Sequence, residues 1–221
     1  MIRFFLTVLT FLSVCASPAA SFDPDDVEKL KNTQTCPGCD LSGANLSLAK
    51  LNGAHLAGAN LQAANLAVAH LASANLFQAN LVRSILKSVH LNNANLSGVN
   101  LLEANLSKGH FNGANLSGAN MSGANLSHGH FNDANLSGAN MQNAILIKAH
   151  MNNANLAGAQ FQNANLSNAI FQKAMLDGAN LAGANLTGVN LSGASLKNTN
   201  LEGAILCRTI LKTGQDDSGC T

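Results

Sequence analysis

Gly109-His110-Phe111-Asn112-Gly113 returns twenty residues later as Gly129-His130-Phe131-Asn132-Asp133, and again as Ala149-His150-Met151-Asn152-Asn153. Working outward from these blocks, a shorter period runs beneath the long one. From Leu41 to Leu211 every fifth residue is Leu, Phe or Met, thirty-five positions without a break. Two residues before each stands a small residue, most often Ala, as in Ala44-Asn45-Leu46-Ser47-Leu48. A period of five fits neither regular element: an α-helix would spread such positions around its whole circumference and a flat strand would alternate them between faces. Self-similarity on a scale of twenty residues is the mark of a solenoid, with four pentads per coil. Core volume is balanced within the pattern. Where the central residue grows to Phe at 111 and 131, the small neighbour shrinks to Gly at 109 and 129, although Phe161 and Phe171 keep Ala159 and Ala169.

The unit Ala-Asn-Leu-X-X resembles the consensus of the pentapeptide-repeat family, and the resemblance covers residues 39–212, with Cys36-Pro37-Gly38-Cys39-Asp40 similar to the lead-in of many members. The fold this implies is all-β: a right-handed quadrilateral β-helix of about nine coils, a rod roughly 40 Å long at the usual spacing between paired strands. Its ends expose apolar interior and unpaired backbone, so caps are expected. Asp23-Pro24-Asp25-Asp26-Val27-Glu28-Lys29-Leu30 reads as a short capping helix, with Asp23 as N-cap and acids in the first turn, that covers the first coil through Val27 and Leu30. The expected organisation is a signal peptide at 1–20, a capping segment at 21–38, the solenoid at 39–212 and a tail at 213–221.

The leader reading rests on Arg3 followed by an apolar run from Phe4 to Val14 and small residues from Ala16 to Ser21. The run is shorter than the roughly 20 residues of a spanning helix, so export to the periplasm or exterior is expected, with no stable membrane insertion after cleavage. A lipid anchor on Cys15 is the alternative, disfavoured by the bulk of Val14. Removing residues 1–20 leaves eleven Lys/Arg against eleven Asp/Glu, but residues 41–212 carry nine basic residues against Glu103, Asp133, Asp177 and Glu202. The solenoid is mildly basic.

In an exported chain the four remaining cysteines suggest disulfides. On the implied rod one pair lies at each end, which leaves Cys36 with Cys39 and Cys207 with Cys220. Cys36 and Cys39 fall on inward positions, where they can also serve as small apolar residues.

Five of the seven histidines, His70, His90, His110, His130 and His150, recur every twenty residues just before the central position. On the implied coil they form one outward column, begun by Lys50 and ended by Ile170, flanked by Lys108, His128 and Lys148 on one side and by Asn92, Asn112, Asn132 and Asn152 on the other. This strip is the candidate binding surface. It suits either weak metal binding, with His110, His128 and His130 as the donors, or response to protons; the plainer and favoured reading is a ladder inherited by duplication in which His replaces Asn. Columns such as Asn60, Asn80, Asn100, Asn120 and Asn140 read as amide ladders.

Functionally, the reading is a non-catalytic exported scaffold or protein-interaction module, with a protein as the expected partner, a homodimer as one possible assembly, and no cofactor. The alternative is the metal- or proton-responsive His surface. A DNA-mimicking topoisomerase inhibitor, a role known in the family, would need a markedly acidic surface, and no nucleic-acid partner is expected of a mildly basic rod without Trp or Tyr. No nucleophile, base and acid converge in the pattern, so an enzyme is not expected.

Overall fold

The computed structural model describes residues 22–211 and 214–220. The leader expected at 1–20 lies outside them. The chain winds as a four-sided coil. Four ladders of parallel bridges, each nine residues tall, join positions twenty apart: Thr35 to Ser195, Asp40 to Asn200, Asn45 to Ile205 and Lys50 to Ile210. The walls consist of single bridging residues separated by turns. Among the described residues, three-residue strands occur only at the C-terminal end, as β1 (Thr209–Leu211) and β2 (Gly214–Asp216).

One pentad shows why the sequence folds this way. Ala114 N–H closes a turn onto Phe111 C=O (3.0 Å), Asn115 N–H donates to Ala94 in the coil below (2.9 Å), and Leu116 and Gly118 N–H donate to Asn135 and Ser137 in the coil above (2.7 and 2.9 Å). The fifth donor, Ser117 N–H, is taken by the Asn115 side chain at 3.1 Å. All five backbone donors are thereby satisfied, as a shape with so little regular sheet requires. The Asn of the repeat is the only side chain in this accounting, which explains its frequency. The last residue of each turn is left-handed, with φ between 53° and 72°. Gly and Asn tolerate this; Val68, at φ 58°, is the least suited residue there.

Inside, the central Leu, Met and Phe residues and the small residues two before them are essentially inaccessible from Cys36 to Leu191, apart from the half-buried Ala49. Each buried Leu contributes on the order of 1.5–3 kcal/mol. Inward polar residues are bonded at once: Ser84 Oγ donates to Leu81 C=O (2.7 Å) and Thr209 Oγ1 to Leu186 C=O (2.8 Å). The rings of Phe111 and Phe131 stack at 4.7 Å, whereas Phe161 and Phe171 meet edge to face at 6.4 Å. The stacked pair needs the glycines, because a Cβ on Gly109 or Gly129 would fall 2.5 Å from the following Phe ring.

The N-terminal end is covered by α1 (Pro24–Thr33), capped by Asp23, whose carboxylate accepts Asp25 N–H at 2.9 Å. Leu30 is fully buried against the core, with Phe22 and Val27 packed beside it. Asp26 reaches over to accept Asp40 N–H at 2.8 Å, pinning the helix to the first coil. The repeat starts earlier than residue 39: Thr35 already bridges His55, and Cys36 fills the first inward position, so the boundary of the capping segment moves back to the end of α1. Cys36 and Cys39 are joined, with Cα atoms 5.4 Å apart. The tail expected at 213–221 turns back as a hairpin, β1 pairing antiparallel with β2, and Cys220 is joined to Cys207. No helix among the described residues is long and apolar enough to cross a membrane.

Candidate functional site: a stacked histidine ladder

The fourth wall carries Lys50, His70, His90, His110, His130, His150, Ile170, Asn190 and Ile210, bridge above bridge. Identical backbone positions give the histidines the same outlook, and their rings stack at 4.8, 4.9, 5.1 and 4.9 Å. The first three pairs are within 8° of parallel; the last, His130 with His150, opens to 27°. Each ladder ring is half-buried between its neighbours. His128 stands outside the ladder, exposed on the preceding corner, level with Lys108 and Lys148 in the coils below and above. His55 belongs to the neighbouring Thr35 ladder.

Histidine cannot do for its turn what Asn does. In this wall the donor that would fall to the bridging Asn is instead accepted by an Asn one coil below: Ala72 N–H by Asn52 (3.0 Å), Asn112 by Asn92 (3.1 Å), Asn132 by Asn112 (3.0 Å) and Asn152 by Asn132 (3.1 Å). The flanking Asn column is therefore the substitute in the turns of His70, His110, His130 and His150; the His90 turn, with Ala72 below it, makes no such bond. The signal was in the sequence: among the repeats, Asn at the residue after the central one occurs only at 52, 92, 112, 132 and 152, each following Lys50 or a ladder His. Asn112→Ala is expected to cost about 1–2 kcal/mol by leaving the Asn132 amide without an acceptor, read as a lower denaturation midpoint; an equal substitution at the half-buried Ser117 should be near neutral.

The ladder does not draw metal donors together. Lone pairs lie in the ring planes, and nearly parallel planes cannot aim them at one point; two Zn–N bonds of about 2.1 Å span only about 4.2 Å end to end. Neither His110 nor His130 belongs, with His128, to any group of three donors among the described residues. The one such group is Asp26, Cys36 and Cys39, at the other end, where the sulfurs are bonded to each other.

Proton chemistry is a different matter. His90 is held below the ordinary imidazole value by burial, then by His110 and His70; His130 likewise by burial, then by His150 and His110. A histidine whose pKa is lowered by folding stabilises the fold while neutral. That contribution is present above the unfolded value of 6.5 and is lost as the pH falls from there through the folded pKa. The lowered carboxylates Asp40, Asp177 and Asp216 act below 3.8, in a separate window. The melting temperature is therefore expected to fall between pH 7.5 and pH 5, and His90→Asn/His130→Asn should flatten that dependence; an unchanged slope in the double variant would refute the assignment.

The ladders, the Asn-bonded turns and the apolar pentad core define a solenoid of five-residue repeats, and the chain belongs to the pentapeptide-repeat family. Profiles described as pentapeptide repeat region match residues 68–141 and 84–161, and pentapeptide repeats (8 copies) match 39–71 and 174–212. Among solved structures it is similar to HetL, a pentapeptide repeat protein involved in heterocyst differentiation regulation from the cyanobacterium Nostoc sp. strain PCC 7120: 32% identity over 82% of this chain and 86% of that one, TM-score 0.36. It is also similar to QnrB1, a plasmid-mediated fluoroquinolone resistance protein (18% identity, 73% and 88% covered, TM-score 0.47), and to a pentapeptide repeat protein of the Arabidopsis thaliana thylakoid lumen (23%, 72% and 69%, TM-score 0.21). No curated protein sequence matches it significantly.

Proposed function

We propose that this chain is a non-catalytic scaffold of an exported compartment, a right-handed β-helix that binds a macromolecular partner, a protein being the expected class, through its histidine wall. The observation that carries the reading is the ladder itself. Five stacked imidazoles and the Lys108, His128 and Lys148 corner stand apart from walls where the bridging residue is mostly Asn bonded to its own turn, with single exposed apolar residues such as Ile85, Ile145 and Ile205 between. The two cysteine pairs fit an oxidising location. The near-parallel stacking of the rings, which cannot aim their lone pairs at one ion, favours a proton-responsive version of the same surface over a metal-binding one. Mimicry of duplex DNA would call for the opposite charge.

The test is capture from the exported fraction at pH 5 and pH 7.5, with the native chain and with His110→Asn/His130→Asn as baits. Asn already occupies the equivalent place in the other three walls, so the variant keeps the fold. Partners retained by the native chain and lost by the variant support the reading. Identical recovery with both baits, or none with either, counts against it.

A further inference from the structure

The third wall, Asn45 to Ile205, departs from asparagine in a regular way. Its rungs read Asn45, Asn65, Ile85, Asn105, Asn125, Ile145, Asn165, Asn185 and Ile205, so every third rung from Ile85 onward is apolar. Each of its six asparagines accepts the backbone N–H two residues on, at 3.0–3.1 Å. Isoleucine cannot, and among the described residues no protein group accepts the N–H of Lys87, Ile147 or Cys207. The three isoleucine side chains are meanwhile 45, 40 and 43% exposed. Each Ile thus forgoes a turn bond and leaves apolar surface in water, a double cost that burial against another molecule offsets. Leu48 and Val68, also exposed, stand on the corner leaving the same wall, whereas the exposed Phe77, Met175 and Ile210 are single residues on other faces. The two margins of the wall differ in charge. The corner entering it carries Glu103 and Glu202, with Arg83 Nε donating to Glu103 Oε2 at 2.7 Å; the corner leaving it carries Lys87, Lys108, Lys148 and Arg208.

We infer that the third wall is a dimer face and that its occupant is a second copy of this chain, lying parallel about a twofold axis along the rod. Such an axis lays every rung on its own counterpart, Ile on Ile and Asn on Asn, and sets the entering corner of each copy on the leaving corner of the other. Charge and bulk then match coil by coil. Glu103, whose Oε1 is not used by Arg83, faces the second copy's Lys108, and Glu202 faces its Arg208; Gly43 and Ala63 leave room opposite its Leu48 and Val68. An antiparallel copy matched on the same isoleucines sets basic corner against basic corner, which like-charge repulsion disfavours. With its corners the wall measures about 40 Å by about 15 Å, so the pair buries roughly 1,200 Å², the low end for specific interfaces, and a reversible dimer is expected. The histidine wall stays open on both copies and faces opposite ways, so the inference stands whether or not that wall binds.

The experiment is analytical ultracentrifugation of the chain with both disulfides closed, from about 1 to about 200 µM. The native protein is expected to dimerise with a dissociation constant on the order of 10 µM. Ile85→Asn/Ile145→Asn/Ile205→Asn should weaken pairing at least about tenfold. The same variant should melt no lower than the native chain when both are compared at a concentration where they are monomeric, since each new Asn supplies the missing turn acceptor. Glu103→Lys should weaken pairing, and adding Lys108→Glu should restore it, because the exchanged charges still face each other across a parallel seam; melting curves establish that these variants are folded. A monomer at every concentration, a dimer indifferent to the isoleucines, or a charge exchange that fails to restore pairing would overturn the inference.

Discussion

Phe131→Ala is expected to destabilise the solenoid by about 3–5 kcal/mol, the range for emptying an aromatic site in a closed core. The ring is wholly buried and stacked on Phe111 at 4.7 Å with 6° between planes, so its removal strips contacts from two coils. Its partner in volume is Gly129. Gly129→Ala alone should cost about 1–3 kcal/mol, because the new methyl would sit 2.5 Å from Phe131 Cε2, with Leu126 C=O already 3.0 Å away. The decisive variant is the pair: Gly129→Ala with Phe131→Leu restores the ordinary Ala-x-Leu pentad, and its stability should lie well above the sum of the two single changes. Chemical denaturation of the four proteins measures this coupling. Additive costs would mean that the two residues do not share one volume.

The second large effect belongs to the far end. Opening Cys207–Cys220, as Cys207→Ser/Cys220→Ser or with reductant, is expected to cost about 2–4 kcal/mol, the usual contribution of a link that closes a short loop. The bond holds the β1–β2 hairpin over a coil whose core residues Leu196, Leu201 and Leu206 are only partly buried. The return of the chain is tight: a Cβ on Gly219 would fall 2.6 Å from Leu206 N. Because each coil leans mainly on its neighbours, the loss should appear first as faster hydrogen exchange in residues 194–211, with the middle coils protected. Uniform exchange along the rod, or a melt unchanged by the substitutions, would contradict this.

The winding of the chain was legible because the inward positions keep one period from Leu41 to Leu211. The Gly109 and Gly129 exchanges were legible as volume, though not the reason Phe161 and Phe171 do without them, which is a different ring geometry that no spacing announces. The ends were harder. Thr35-Cys36 lacks the Ala-Asn-Leu signature yet bridges His55, because a bridge is a backbone contact that asks little of side chains. The hairpin after Leu211 arises from pairing outside the repeat, where periodicity is silent. The histidine column was visible as a column. Its dependence on the neighbouring asparagines was not, since that follows from which backbone donor each side chain can reach.

The central claim, that residues twenty apart lie above one another on one wall, is tested most directly by paired cysteines. With His110→Cys and His130→Cys the two Cα atoms should be about 4.8 Å apart, within disulfide range, so mild oxidation should link them rapidly. The account predicts that link, and none for His110→Cys with Asn120→Cys, which it places on opposite walls. Equal linkage of the two pairs, or linkage of the second alone, would contradict it.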